Sequence, residues 1–96
     1  MTIEKTINNE AIVFNVFSGK DSENLEGMVD LNNLERDVVI VDLSKTTTIS
    51  SQFVGYLVRM NSEITKQGKK FLISGTNPTV KSVFECAGVE KLFKII

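Results

Sequence analysis

Val38-Val39-Ile40-Val41-Asp42-Leu43 is the stretch that decides the fold. It is apolar at consecutive positions apart from Asp42, and it is too short for a helix. Such a run predicts a strand covered on both faces, hence one in the middle of a sheet. The next residues, Ser44 to Thr48, read as a loop. A helix follows from about Ser51 to Gln67, with Val54, Leu57, Val58, Asn61 and Ile64 at three- and four-residue spacing along one side. Gly68 is placed to stop it, and Lys66, Lys69 and Lys70 suit the negative end of its dipole.

Working outward, Phe71 to Ser74 is another buried strand. Thr76-Asn77-Pro78 opens a helix, with Asn77 as cap and Pro78 at the first helical position. Val80, Val83, Phe84 and Ala87 give that helix an apolar stripe, Gly88 ends it, and Leu92 to Ile96 makes a last short strand. Upstream, Thr2 to Thr6 forms a short edge strand, Asn8-Asn9 a turn, and Ala11 to Phe17 a second strand paired with the first as a hairpin. Ser18-Gly19-Lys20 breaks it. Asp21 or Ser22 caps a helix to about Asn33, with Leu25, Met28 and Val29 inward and Gly27 weakening it. This order predicts an α/β fold: a mixed, largely parallel sheet with three helices.

The 96 residues suit one domain, 1–96, with one core. Hydrophobic residues at 42% and charged residues at 24% argue for a folded chain. With 11 basic and 12 acidic residues, no broad basic surface is implied, so nucleic acid is a poor partner. No histidine is present, which removes the commonest general base and transition-metal ligand. Cys86 is the sole cysteine, so an internal disulfide and a cysteine zinc cluster are excluded, and it is expected to be a small buried apolar residue. The first residues do not resemble a signal peptide, and Val38 to Val41, the longest aliphatic run, is far too short to span a bilayer. The expectation is a cytoplasmic protein without a membrane partner, a monomer or weak dimer.

Chemistry concentrates in Ser44-Lys45-Thr46-Thr47-Thr48-Ile49-Ser50-Ser51, between the C-terminal end of a buried strand and the N-terminus of the longest helix. In open α/β sheets ligands and partners dock at that end, and the helix terminus favours an anion. A hydroxyl there can cap the helix, or it can accept a phosphoryl group. Without histidine a serine hydrolase lacks its usual base, and neither a Gly-x-Ser-x-Gly elbow nor a phosphate loop is present. We therefore assign no catalytic residue, metal or cofactor, and expect a binding protein rather than an enzyme. Asp21, Glu23, Glu26 and Asp30 fit no metal-ligand loop and read as a solvated face.

Val39 to Lys91 resembles the STAS domains of bacterial anti-sigma factor antagonists. The resemblance is carried by Val41-Asp42-Leu43, Ile49-Ser50-Ser51, Gly55, Gln67-Gly68, Pro78, Val80-Lys81, Phe84 and Gly88-Val89. Gly19 and Asp21 resemble a family turn, one residue shorter here. The resemblance implies a STAS-like fold, with a four- to five-stranded, mostly parallel mixed sheet and three or more helices mainly on one face. It implies a phosphoacceptor at the start of the second helix, Ser51, with Ser50 the next candidate. It also implies a partner surface of Thr48, Ser50, Ser51, Gln52 and Phe53. The partner it implies is an anti-sigma factor that is also a serine protein kinase, bound when the module is unphosphorylated, with a serine phosphatase restoring the complex. The alternative is a non-phosphorylated STAS scaffold or accessory subunit of a larger regulatory or transport complex. Two positions depart from the family pattern: Ser50 stands where an acidic residue is usual and Phe53 where glycine is usual. Phe53 suits either the core or an exposed partner anchor.

Overall fold

Five residues of the apolar run, Val38–Asp42, form β3, the central strand. The computed structural model describes residues 2–96, and among these it has five strands and three helices. In chain order the others are β1 (Ile3–Ile7), β2 (Ala11–Val16), α1 (Ser22–Met28), α2 (Ser51–Lys66), β4 (Lys70–Ser74), α3 (Pro78–Ala87) and β5 (Lys94–Ile95). The sheet order is β1-β2-β3-β4-β5. β1 runs antiparallel to β2, and every later neighbour is parallel. The mixed, mostly parallel sheet expected from sequence is the one observed.

Register explains the core. Ile12, Val39 and Phe71 lie abreast, as do Phe14, Val41 and Ile73. All six are buried and join Leu25 of α1, Leu57 and Ile64 of α2, and Val80 and Phe84 of α3 in one cluster. Val13, Ile40 and Leu72 lie abreast on the opposite face and are only half-buried. The helices thus cover one face, and β3 alternates between full and partial burial. The sequence pointed to cover on both sides because Val38 and Ile40 are aliphatic on the more open face too. No helix among the described residues is long and apolar enough to cross a membrane.

The helix boundaries follow their caps. Asp21 accepts the Asn24 N–H at 3.0 Å and starts α1. That helix stops at Met28, well short of Asn33, because Asp30 folds the chain into a turn. Its side chain accepts the Asn32 N–H at 3.0 Å and its carbonyl the Asn33 N–H at 3.2 Å. Such local bonds compete directly with the helical ladder. Asn77 and Pro78 open α3 as their sequence predicts, and Gly88 closes it in the left-handed conformation.

Two further details differ from expectation. β5 has two residues rather than five, because Leu92 and Phe93 turn back to bond the Val89 carbonyl. Phe93 is buried there against Phe71 and Phe84, with edge-on ring centroids at 6.3 and 5.2 Å. Cys86 is exposed, not buried. Val80 and Phe84 set the inner face of α3, and at about 100° per residue Cys86 lies about 160° around the axis from Phe84 and about 120° from Val80, so it points outward and is exposed, as is Ala87.

Candidate functional site

The loop from β3 to α2 is fixed from several sides. At its start the Asp42 carboxylate accepts the Ser44 N–H at 2.8 Å, and the Leu43 N–H donates to the Ser74 carbonyl at 2.8 Å. Gly75 allows this close passage. Its φ is +71°, and a Cβ there would lie 2.6 Å from both the nitrogen and the Cβ of Ser44. A side chain at that position would meet a conformational penalty and a clash together.

Thr46 is the loop's internal anchor. It is 2% exposed, the one buried polar residue among those described. Its hydroxyl donates to the Val16 carbonyl at 2.6 Å, and its N–H donates to the Leu43 carbonyl at 3.1 Å. Its carbonyl accepts the Asn77 side-chain amide at 2.9 Å. Further on, Ile49 pairs with Gly19, and the Ser50 N–H donates to the Gly19 carbonyl at 2.8 Å. Gly19 lies so close that a Cβ there would collide with the Thr48 carbonyl oxygen. Apart from the local bond to Leu43, these ties were not visible in the local sequence pattern, since the partners stand about thirty residues apart.

Ser50 is the cap of α2. Its hydroxyl accepts the Phe53 N–H at 3.1 Å, and its carbonyl accepts the Val54 N–H at 3.0 Å. Ser51 is the first helical residue and is exposed, as is Gln52. Thr48 and Ser50 are half-buried beside them. Four of the five proposed surface residues are therefore exposed or half-buried around the start of α2. The fifth, Phe53, stands in the first turn of α2 but is 0% exposed and belongs to the core cluster. Its ring takes the core alternative, because the α2 residues inside are Phe53, Val54, Tyr56, Leu57, Met60 and Ile64. That face is broader than the Val54–Leu57–Ile64 stripe. α2 packs against α1, β4 and α3 at once, which draws in Phe53, Tyr56 and Met60.

Beside the loop, α1 and α2 frame an open polar groove of about 390 Å³, lined by Ser22, Glu23, Glu26, Gln52, Gly55, Tyr56 and Arg59. Arg59 pairs with Glu26 at 3.5 Å. Burial pushes the Tyr56 phenol above its ordinary pKa, the charge of Glu26 adds to this, and Arg59 opposes it. Of the acidic residues here, Asp21 is engaged as a cap and Glu26 in an ion pair. Among the described residues no three His, Cys, Asp or Glu side chains are grouped to hold a metal.

This architecture has solved counterparts. A Thermotoga maritima protein assigned as an anti-sigma factor antagonist superimposes with a TM-score of 0.85 at 18% identity, covering 97% of this chain and 84% of that one. An anti-sigma factor antagonist from Mycobacterium paratuberculosis gives 0.80 at 20% identity, covering 98% and 83%. The anti-sigma factor antagonist SpoIIAA in its unphosphorylated form gives 0.82 at 15% identity, covering 98% and 87%. A comparison with curated protein sequences gave no match. At these identities the likeness establishes fold alone, but the profile of the STAS domain matches residues 2–96, nearly the whole chain. With strand order, helix placement and sequence profile in agreement, this chain belongs to the STAS domain family.

Proposed function

We propose that this chain is a cytoplasmic, phospho-switched protein-binding module. In its unphosphorylated form it binds an anti-sigma factor that is also a serine kinase, and phosphorylation of Ser51 releases it. The observation that carries this reading is the division of labour at the start of α2. Ser50 closes the helix, so the exposed Ser51 hydroxyl is not needed for the fold. The docking surface is Thr48, Ser50, Ser51 and Gln52, with Phe53 supporting it from beneath. The phosphorylated form solved for SpoIIAA, with a TM-score of 0.70 at 13% identity, supports the same reading by analogy of fold.

The energetics separate fold from complex. A phosphate adds about −1.5 to −2 charges at neutral pH. The positive end of α2 tolerates it, since an anion there is favourable by about 0.3–1 kcal/mol. A partner packed against a neutral hydroxyl must instead bury an uncompensated charge, at several kcal/mol.

The test is incubation with ATP and a serine kinase of the anti-sigma factor class from the source organism, followed by intact mass and phosphopeptide mapping. One phosphoryl group on Ser51 is expected. Ser51→Asp should weaken binding at least about tenfold, or about 1.4 kcal/mol, at unchanged thermal stability. Full binding by Ser51→Asp, with no phosphate on Ser50 or Ser51, would overturn the switch. It would favour the second reading, a non-switching scaffold or accessory subunit, for which Ser50 in place of the usual acidic residue and Phe53 in place of the usual glycine speak.

A further inference from the structure

The N-terminus of α3 and the loop entering α2 meet at one side chain. Asn77 is half-buried between them. Its Oδ1 accepts the Val80 N–H at 2.8 Å, which caps α3. Its Nδ2 donates to the Thr46 carbonyl at 2.9 Å, with the Thr47 carbonyl at 3.5 Å. The surroundings fix this orientation of the amide. An N–H faces one end and carbonyls face the other, so oxygen and nitrogen cannot be exchanged without opposing like partners.

Capping alone does not call for asparagine. Serine or aspartate caps a helix as well. Aspartate, however, has no donor, and its charge would face the two loop carbonyls. The serine hydroxyl is too short to span from the Val80 N–H to the Thr46 carbonyl. What asparagine adds is the bond to the loop. Thr46 is also the residue through which the loop is tied to β2 and to Leu43. The Asn77 bond completes its engagement, using the Thr46 carbonyl while the hydroxyl and N–H are already committed.

We propose that Asn77 is a positioning residue for the candidate site, a clamp by which α3 fixes the Ser44–Ile49 loop. Through that loop it holds Thr48 and the first turn of α2 in the arrangement that a partner meets. Its effect on docking rests on the binding-module reading above, whereas the clamp itself is a property of the free chain. A force that tilts or shifts α3 is passed to the docking surface through this amide.

The experiment compares the unmodified chain with Asn77→Asp, Asn77→Ser and Asn77→Ala by residue-resolved amide hydrogen exchange, without a partner. In Asn77→Asp and Asn77→Ser the loop amides of Thr46 and Ser50 should exchange about three- to tenfold faster, the scale of one lost hydrogen bond. The α3 amides of Val80 and Lys81 should stay within about twofold, because the cap is retained. Asn77→Ala should loosen both segments. Unchanged loop exchange in Asn77→Asp and Asn77→Ser overturns the clamp, and so does equal loosening of loop and α3 in both. With the kinase of the preceding experiment, Asn77→Ser should raise KM at least about threefold at unchanged kcat. An unchanged KM beside a loosened loop overturns the docking role. Since the exchange measurement needs no kinase, failure of the clamp and failure of the phospho-switch are separate results.

Discussion

The Ser50 hydroxyl accepts the backbone N–H of Phe53 at 3.1 Å, and this bond ties the surface of the site to its core. Phe53 is fully buried, so the group Ser50 caps is anchored by a packed ring. Loss of the cap is therefore expected to be felt in stability, and loss of the neighbouring hydroxyl is not. Ser50→Ala should cost about 1 kcal/mol, as N-cap truncations do. Ser51→Ala should lie within about 0.5 kcal/mol of the parent. Urea melts of the two variants decide this, and equal losses would mean that the cap is misassigned.

Thr46→Val removes the bond to the Val16 carbonyl at nearly constant shape. A buried acceptor left without its donor should cost about 1–3 kcal/mol. Thr46→Ser keeps the donor and should recover most of that loss. If the valine variant melted like the parent, water would have to replace the hydroxyl.

Leu57, Phe84 and Phe53 are each 0% exposed in one cluster. Replacement of any one by alanine should cost about 2–5 kcal/mol. Val58→Ala, on the half-buried flank of α2, should cost less than any of them. Denaturant titrations ranking Val58 above Leu57 would show that the helix face is wrongly drawn.

Gly75→Ala should cost about 2 kcal/mol or more, because a positive φ and a 2.6 Å approach to Ser44 act together. Gly19→Ala places a methyl against the Thr48 carbonyl oxygen, the Ile49 side chain and the Thr46 methyl. It should displace the loop as well as lower stability. Chemical shifts of residues 44–50 that stay at parent values in Gly19→Ala would contradict this.

Asp21 supplies a dependence on pH. The Thr2 hydroxyl donates to its carboxylate at 2.7 Å, and this bond, with the Asn24 N–H, holds the carboxyl below its ordinary pKa. A folded-state pKa lowered relative to the unfolded chain stabilises above the unfolded value, and the contribution is lost as pH falls through the folded value. The effect should thus be present at neutral pH and disappear below about pH 4. Asp21→Asn should flatten this part of the acid limb in thermal melts taken across pH. An unchanged limb would assign the acid sensitivity to other carboxylates.

Much of this was legible because short-range rules carry it. The Val38 to Val41 run, the Asn77-Pro78 start and the Gly88 stop depend on neighbours in sequence, and each marks its element where the structure has it. The end of α1 was missed because a single side-chain bond from Asp30 outweighed helical spacing. Phe53 and Cys86 could not be placed locally. Which side of a helix faces inward depends on what packs against it, and α2 meets three elements while α3 buries only a narrow face. The ties through Thr46, Gly19 and the second function of Asn77 join residues far apart in the chain. The sequence marked the hydroxyl-rich loop, but not the side chains that hold it still.

The brevity of β5 has a consequence for how the molecule meets copies of itself. An open sheet edge offers unpaired backbone groups to any passing strand. At one edge β5 pairs with β4 through only Leu72–Lys94 and Ile73–Ile95, too short a row to template another chain, and Phe93 pins the segment from inside. At the other edge β1 is five residues long, but Glu4, Lys5 and Thr6 are all exposed on it. Charge guards the long border and shortness guards the other, which disfavours edge-to-edge aggregation while the face around Ser51 stays open to solvent.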